Sequence, residues 1–272
     1  MVGHILPLGT AALICASFSK IKYSVFLHGM DLTYTFRRTR KRWLAEKILK
    51  KAEKIICINS YVADLARRAF PDIGRRIIVV NPGVSTNHKS QITNHILLKN
   101  KHNLDNKIIL LSVGRLVKRK GFDKVIEALP GILEKIPNLA YIIVGDGPEL
   151  KNYQLQITNY KLDADVKIIN QATDSERDGW YNVCDIFIMP ARQINGDFEG
   201  FGIIYLEANL AGKPVIAGDS GGVGDAVIDG LNGLLVKPED TDEIAGAIIR
   251  LAQNPELRKK LGLSGTVLIS AG

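Results

Sequence analysis

Cys184-Asp185-Ile186-Phe187-Ile188-Met189-Pro190 and, a few residues on, Glu199-Gly200-Phe201-Gly202-Ile203-Ile204-Tyr205-Leu206-Glu207 are the stretches on which the fold turns. The first is a continuous apolar run closed by proline and reads as a buried strand; Phe201 to Ala211 reads as a helix. A buried strand running straight into a helix predicts a parallel α/β sheet, whose ligands bind beyond the carboxyl ends of the strands. Glu199 and Glu207 straddle this junction, and Gly200 and Gly202 follow the first acid.

Working outward, the same alternation continues. Strands are predicted at 108–113, 140–144, 166–169, 214–217 and 233–236. Helices are predicted over 122–136, 149–160, 175–181, 223–229 and 242–253, which completes a doubly wound sheet. Upstream, 22–28, 55–58 and 76–80 read as strands and 36–51 and 60–68 as helices, about half of a Rossmann-like lobe. Residues 85–106 are polar without a clear period and read as a linker. The predicted organisation is therefore a partial N-terminal lobe over 1–84, a linker over 85–106 and a nearly complete Rossmann-like lobe over 107–272.

Composition is ordinary for a globular chain: 46% hydrophobic and 24% charged over 272 residues. Cys15, Cys57 and Cys184 lack metal-site or CxxC spacing and suit a reducing cytoplasm, as buried small hydrophobes. No run reaches the roughly 18 apolar residues that a membrane span needs. Ile5 to Phe18 is apolar but broken by Pro7 and Gly9, lacks a basic flank, and is expected to be a buried element. The charge is lopsided. Residues 1–84 hold 15 Lys and Arg against 5 Asp and Glu, whereas the remainder holds 21 against 23. Much of this excess lies on 36–51, where Arg37, Arg38, Arg40, Lys41, Arg42, Lys47, Lys50 and Lys51 form a basic face beside Trp43. That face reads as a solvated helix surface or as a contact with anionic lipid headgroups. No nucleic-acid reading module is visible.

Several turns carry candidate chemistry. Gly114-Arg115-Leu116-Val117-Lys118-Arg119-Lys120-Gly121 follows the first strand of the second lobe. It is either a solvated basic turn or a diphosphate site in which Arg115 offers a bidentate fork and Lys120 a point charge. It is not a Walker A loop. Gly145-Asp146-Gly147-Pro148 lacks the third glycine of a dinucleotide fingerprint and reads as structural, which weakens a dehydrogenase reading. Gly221-Gly222 marks another glycine-rich turn, and Leu231-Asn232-Gly233 a plain one. The amides at the start of the 201–211 helix suit an anion. Carboxylates beside an anion would repel it unless they grip hydroxyls, so a phosphate flanked by hydroxyls on both sides describes a nucleotide sugar. Incidental acids on a surface helix are the plain alternative. His28, ending a strand before Gly29, is a structural residue or a hydrogen-bonding or acid/base group.

Taken together, Ser112-Val113-Gly114-Arg115 with Lys120-Gly121, Val144-Gly145-Asp146-Gly147-Pro148, Glu199-Gly200-Phe201-Gly202 through Glu207-Ala208, and Ala211-Gly212-Lys213-Pro214-Val215 resemble the GT-B-fold retaining glycosyltransferases of family 4, the group that includes phosphatidylinositol mannosyltransferases. The resemblance runs from about His28 to Gly262. It implies transfer of a hexose from a nucleotide-sugar donor, GDP-mannose or a UDP-sugar, with retained configuration and no obligatory metal or other cofactor. The implied acceptor is a sugar, a glycan or a lipid-linked molecule. It implies that Arg115 and Lys120 hold the diphosphate and that Glu199 binds the transferred sugar near the amides of Gly200, Phe201, Gly202 and Ile203. Glu207 would take the ribose hydroxyls, and His28 would contact the sugar from the opposite lobe. Location in the cytoplasm, peripheral on the inner membrane face, follows from the same likeness and the basic helix. The family's opening strand and glycine-rich loop have no match and the closing helix falls short, so a truncated chain is expected; a non-catalytic nucleotide-sugar-binding module is the alternative.

Overall fold

The computed structural model of the protein describes residues 1–84 and 98–271. It divides into two compact units, Met1–Pro82 with Ile194–Phe201, and Gly83–Gln193 with Gly202–Gly272. Of the predicted linker, 85–97 lies outside the described residues. The rest does not behave as a free connector: Leu98 and Leu104 are buried, and a Cβ added to Gly179 would sit 2.6 Å from Leu98 Cδ1. The second unit therefore begins its packing before residue 107.

The first unit holds a parallel three-stranded sheet in the order β1 (Ser24–Leu27), β2 (Lys54–Cys57), β3 (Ile77–Val79). Val2 extends it by a parallel bridge to Val25. Val25, Leu27, Ile55 and Cys57 supply the buried positions, against Ile48, Leu49, Val62 and Ala66 of the helices Thr39–Lys51 and Ser60–Ala69. The predicted helix over 36–51 starts only at Thr39 (Thr39–Lys51), because Arg38 is extended (φ −146°, ψ 134°); a separate helix, Met30–Phe36, precedes it. The helix Ser60–Ala69 is capped by Asn59, whose side chain accepts from the Val62 amide. The apolar stretch after Ile5 forms a helix, Leu8–Phe18, that is not buried: Leu8 and Ile14 are each 53% exposed and Phe18 89%. Cys15 on this helix is exposed, whereas Cys57 and Cys184 are buried and burial pushes both thiols up to about 12.

The second unit is a six-stranded parallel sheet in the order β6-β5-β4-β7-β8-β9. Its strands are β4 (Ile108–Val113), β5 (Leu139–Val144), β6 (Val166–Ile169), β7 (Ile186–Met189), β8 (Val215–Gly218) and β9 (Gly233–Val236). β5, β7 and β8 are buried throughout, as their unbroken apolar runs require in a sheet covered on both faces. The chain builds outward from β4 through β5 to β6, then returns to β7 and builds the other way. The strand order therefore reverses between β4 and β7, a topological switch point.

Asn232 corrects its reading as a plain turn. It is fully buried, donates to Asn209 Oδ1 (2.8 Å) and the Ala226 carbonyl (2.9 Å), and accepts from the Ile228 amide (2.7 Å). Asn209 lies on the helix Ile203–Leu210, so this network fixes that helix to the start of β9. The predicted 223–229 helix is only a 3₁₀ turn, Val223–Asp225, and a helix not read from the sequence, Pro255–Ala271, packs on Ile203–Leu210. Asn232→Ala leaves the Ile228 amide and the buried Asn209 Oδ1 without these partners. Urea unfolding is expected to show a loss of about 2–4 kcal/mol, with the unfolding slope unchanged.

Candidate functional site

The cavity at the switch point lies wholly in the second unit. It measures about 410 Å³ and is lined by the residues that end β4, β5 and β6 together with two residues of the helix that follows β7. Gly114 and Arg115 come from the end of β4, Gly145 and Asp146 from β5, and Asn170 and Ala172 from β6. Asp174 and Arg177 project from the helix Asp174–Val183, and Ile204 and Glu207 from Ile203–Leu210.

Glycine spacing is what lets these loops approach. At Gly145 (φ +149°) an added Cβ would lie 2.0 Å from the Gly114 carbonyl oxygen, and at Gly147 2.4 Å from that of Leu116. Leu116 in turn donates to the Asp146 carbonyl at 2.9 Å. The Gly-Asp-Gly-Pro turn is thus a backbone crossing that holds the loop after β4, as its structural reading requires. Lys120 ends the 3₁₀ turn Lys118–Lys120, and its stem runs back along the loop: an added Cβ at Gly114 would meet Lys120 Cε at 3.7 Å. Arg115 is exposed and Lys120 half-buried.

Glu207 is half-buried and accepts a hydrogen bond from the Tyr181 hydroxyl at 2.8 Å. Burial, and after it the Glu207 carboxylate, raise the Tyr181 phenol well above its ordinary range, so the phenol is neutral and donates. Gly202 opens this helix in the left-handed region (φ +81°, ψ 57°). The helix therefore starts at Ile203, two residues later than predicted, and Phe201 precedes it as a buried residue.

Glu199 and His28 are placed together, in the first unit. The sequence reading put Glu199 in the second lobe with His28 opposite; Ile194–Phe201 instead packs with residues 1–82. The reason is local. Ile194 and Asp197 exchange backbone hydrogen bonds around Asn195-Gly196, both at positive φ, a tight hairpin turn. Phe198 then packs edge-on against Tyr61, with ring centroids 4.9 Å apart, and fills the space over Gly29, where a Cβ would lie 2.7 Å from its ring. Asn59 donates its side-chain amide to the Gly200 carbonyl. Glu199 is thus held between two anchored neighbours. A Cβ on Gly200 would sit 3.4 Å from the His28 carbonyl oxygen. His28 is exposed and stacks near Phe26, and its amide and that of Gly29 donate to Asp31 Oδ1 at 3.1 and 2.9 Å. Desolvation raises the Asp31 carboxyl above its ordinary value.

Sequence reasoning missed Tyr181, Arg177 and Asp174. Their signal was present: Thr173 and Glu176 form a capping box, and Asp174, Arg177 and Tyr181 then follow at helical spacing on one face. It also missed Arg192, which is 6% exposed, pairs with Asp123 at 2.7 Å and donates its amide to the Arg119 carbonyl at 2.9 Å. This residue straps the chain leaving β7 to the loop that follows β4.

Set beside known proteins, this architecture is that of GT-B glycosyltransferases. An Anabaena protein, HepE, solved in complex with UDP superposes with a TM-score of 0.83 at 21% identity, over 97% of this chain and 71% of its own. A glycosyltransferase from Rickettsia africae gives 0.83 at 20%, over 98% and 70%. The model of "Glycosyl transferases group 1" matches residues 95–266, and that of "Glycosyltransferase Family 4" residues 2–88. The chain belongs to the group 1 glycosyl transferase family. A Mycolicibacterium smegmatis protein named GDP-mannose-dependent alpha-(1-6)-phosphatidylinositol monomannoside mannosyltransferase is 34% identical over 170 residues, 62% of this chain and 44% of that relative. A Methanocaldococcus jannaschii glycosyltransferase is 27% identical over 262 residues, 96% of this chain and 67% of that one. The chain thus spans from under half to two thirds of the length of these relatives.

Gly121 offers a direct check on how the loop is held. It has φ +76°, and an added Cβ would lie 2.1 Å from the Pro190 carbonyl oxygen. Gly131, in the helix Phe122–Lys135, has open space around it. Gly121→Ala is expected to cost about 2–4 kcal/mol in urea unfolding, whereas Gly131→Ala should add about 0.5–1 kcal/mol.

Proposed function

We propose that this chain binds a nucleotide sugar in the second unit and transfers its hexose, with retained configuration, to a sugar, glycan or lipid-linked acceptor. The observation that carries the reading is the cavity at the β4/β7 switch point, which sets Arg115 and Glu207 around one space of nucleotide size. Arg115 and Lys120 hold the diphosphate, Glu207 takes the ribose hydroxyls, and Glu199 and His28 take hydroxyls of the transferred sugar. The names of the curated relatives favour GDP-mannose as donor, and HepE with UDP keeps a UDP-sugar as the alternative.

In the transfer, the bond between the sugar's anomeric carbon and the diphosphate oxygen breaks and a bond to the acceptor oxygen forms. The acceptor's proton passes to the leaving phosphate oxygen on the same face, so no protein base is needed. The guanidinium of Arg115 and the ammonium of Lys120 stabilise the charge that develops on the leaving group. No metal is invoked. A second reading, nucleotide-sugar binding without transfer, is favoured by one observation: the cavity is complete within a single unit.

A membrane partner belongs to the same proposal. On the first unit, Trp43 is 57% and Tyr34 47% exposed, with Lys47 Nζ 3.8 Å and Lys41 Nζ 3.5 Å from their ring centroids. Aromatic rings flanked by lysines suit the headgroup level of an anionic, cytoplasm-facing leaflet. Among the described residues no helix is long and apolar enough to cross a membrane.

Calorimetric titration with GDP, UDP and ADP should show one clear preference; binding of none of the three sinks the reading. Glu199→Gln is expected to leave nucleotide affinity within two-fold and to cut transfer from the preferred sugar nucleotide by about 10²–10³; wild-type transfer by this variant would remove Glu199 from the reaction. Sedimentation with phosphatidylcholine vesicles should capture the protein only when phosphatidylglycerol is included. Reversing Arg37, Arg38 and Lys41 to Glu should release it, since each basic residue contributes about 1 kcal/mol at such a surface.

A further inference from the structure

Tyr181 is 4% exposed and is absent from the cavity wall, yet its hydroxyl holds Oε2 of Glu207, which does line it. The phenol ring is fixed on its own side. It packs against Phe187 of β7 with centroids 5.7 Å apart, Phe187 packs edge-on against Tyr205, and the Tyr181 carbonyl accepts from Cys184 Sγ at 3.3 Å. The helix that carries it is set by the Thr173–Glu176 capping box at one end and by the burial of Trp180 and Val183 at the other. Glu207 itself sits on a helix locked through Asn209 and Asn232. Both partners of this hydrogen bond are therefore held before any ligand arrives.

We infer that Tyr181 is a positioning residue: its hydroxyl clamps one oxygen of Glu207, so that the remaining oxygen is already oriented to accept from a vicinal diol on the ligand. A carboxylate free to rotate would have to be ordered on binding, and a diol competes with water for both of its oxygens. With Oε2 occupied by a buried donor, the ordering cost is met in the fold, and the charge-assisted bond to the diol gains accordingly. The inference rests on the proposal that Glu207 takes the ribose hydroxyls, and it adds the residue that makes Glu207 selective for them.

The test compares the nucleoside diphosphate selected by the titration above with its 2′,3′-dideoxy form, by calorimetry on the full chain. Wild-type protein should bind the dideoxy ligand about ten-fold or more weakly, the loss expected for a hydrogen bond to a carboxylate. Tyr181→Phe keeps the ring and its packing. It should weaken the natural ligand several-fold while leaving affinity for the dideoxy form within two-fold of wild type, so that discrimination collapses. In a Glu207→Ala background, Tyr181→Phe should change neither affinity further, because no side-chain acceptor is left for the hydroxyl to hold. If Tyr181→Phe lowers both affinities equally, or leaves discrimination intact, Tyr181 is a packing residue and the inference fails while the assignment of Glu207 stands. If wild-type protein binds the two ligands equally, Glu207 does not hold the ribose, and both statements fall.

Discussion

The chain leaving β7 passes through a gap that only a backbone can occupy. Pro190 and Ala191 run between Gly121 on one side and Gly218 on the other. A Cβ at Gly121 would lie 2.1 Å from the Pro190 carbonyl oxygen, and one at Gly218 2.2 Å from that of Ala191. Gly121 closes the cationic loop after β4; Gly218 ends β8. Three strands of one parallel sheet, β4, β7 and β8, are therefore pinned at their carboxyl ends within van der Waals reach of one another. The switch point would otherwise be a loose crevice, and here its width is set by hard-sphere contact. Arg192, immediately downstream, adds ion pairs to Asp123 at 2.7 Å and Glu239 at 3.4 Å, as a buried charge requires.

This constraint explains which parts of the fold were legible in the sequence. The six strands of the second sheet were readable because each is a short, near-continuous apolar run, and a strand covered on both faces has no other way to be written. The helix boundaries that failed did so where a single backbone conformation overrides periodicity. Arg38 is extended inside what looks like one basic helix, and Gly202 turns left-handed where Phe201 looks like a helix start. Neither is marked by a change in hydrophobic pattern. Asn232 was misread for a related reason: Asn-Gly spells a turn, and nothing local reveals that the Asn side chain is buried against a helix more than twenty positions earlier.

The candidate site was legible to the same degree. Arg115 and Glu207 share a cavity because both follow strands at the switch point, which topology alone dictates. Tyr181 and Arg177 were missed because their helix follows β6, beyond the two strands whose motifs drew attention. Helical spacing from Asp174 would have found them once that helix was known to border the cavity. The Asn195-Gly196 turn was the signal overlooked for Glu199. It folds Ile194–Phe201 into a hairpin whose aromatic residue, Phe198, needs an apolar seat, and Tyr61 and Gly29 provide one.

The placement of that hairpin carries a mechanistic consequence. The proposed nucleotide-holding groups, Arg115, Lys120 and Glu207, are positioned by the second unit alone, through glycine contacts and buried amides that do not involve the first. The proposed sugar-holding groups, Glu199 and His28, are positioned by the first unit, through Phe198, Asn59 and Asp31. Contacts with the ribose are made equally in the ground state and the transition state and so govern affinity, whereas contacts with the leaving diphosphate strengthen as its charge develops and govern rate as well. Interactions at the sugar, where charge and geometry change during transfer, govern rate. On the proposed assignment, a substitution that loosens the seat of Phe198 would lower turnover and leave nucleotide affinity in place, whereas one that opens the Gly121–Pro190 contact would weaken the proposed hold on the diphosphate.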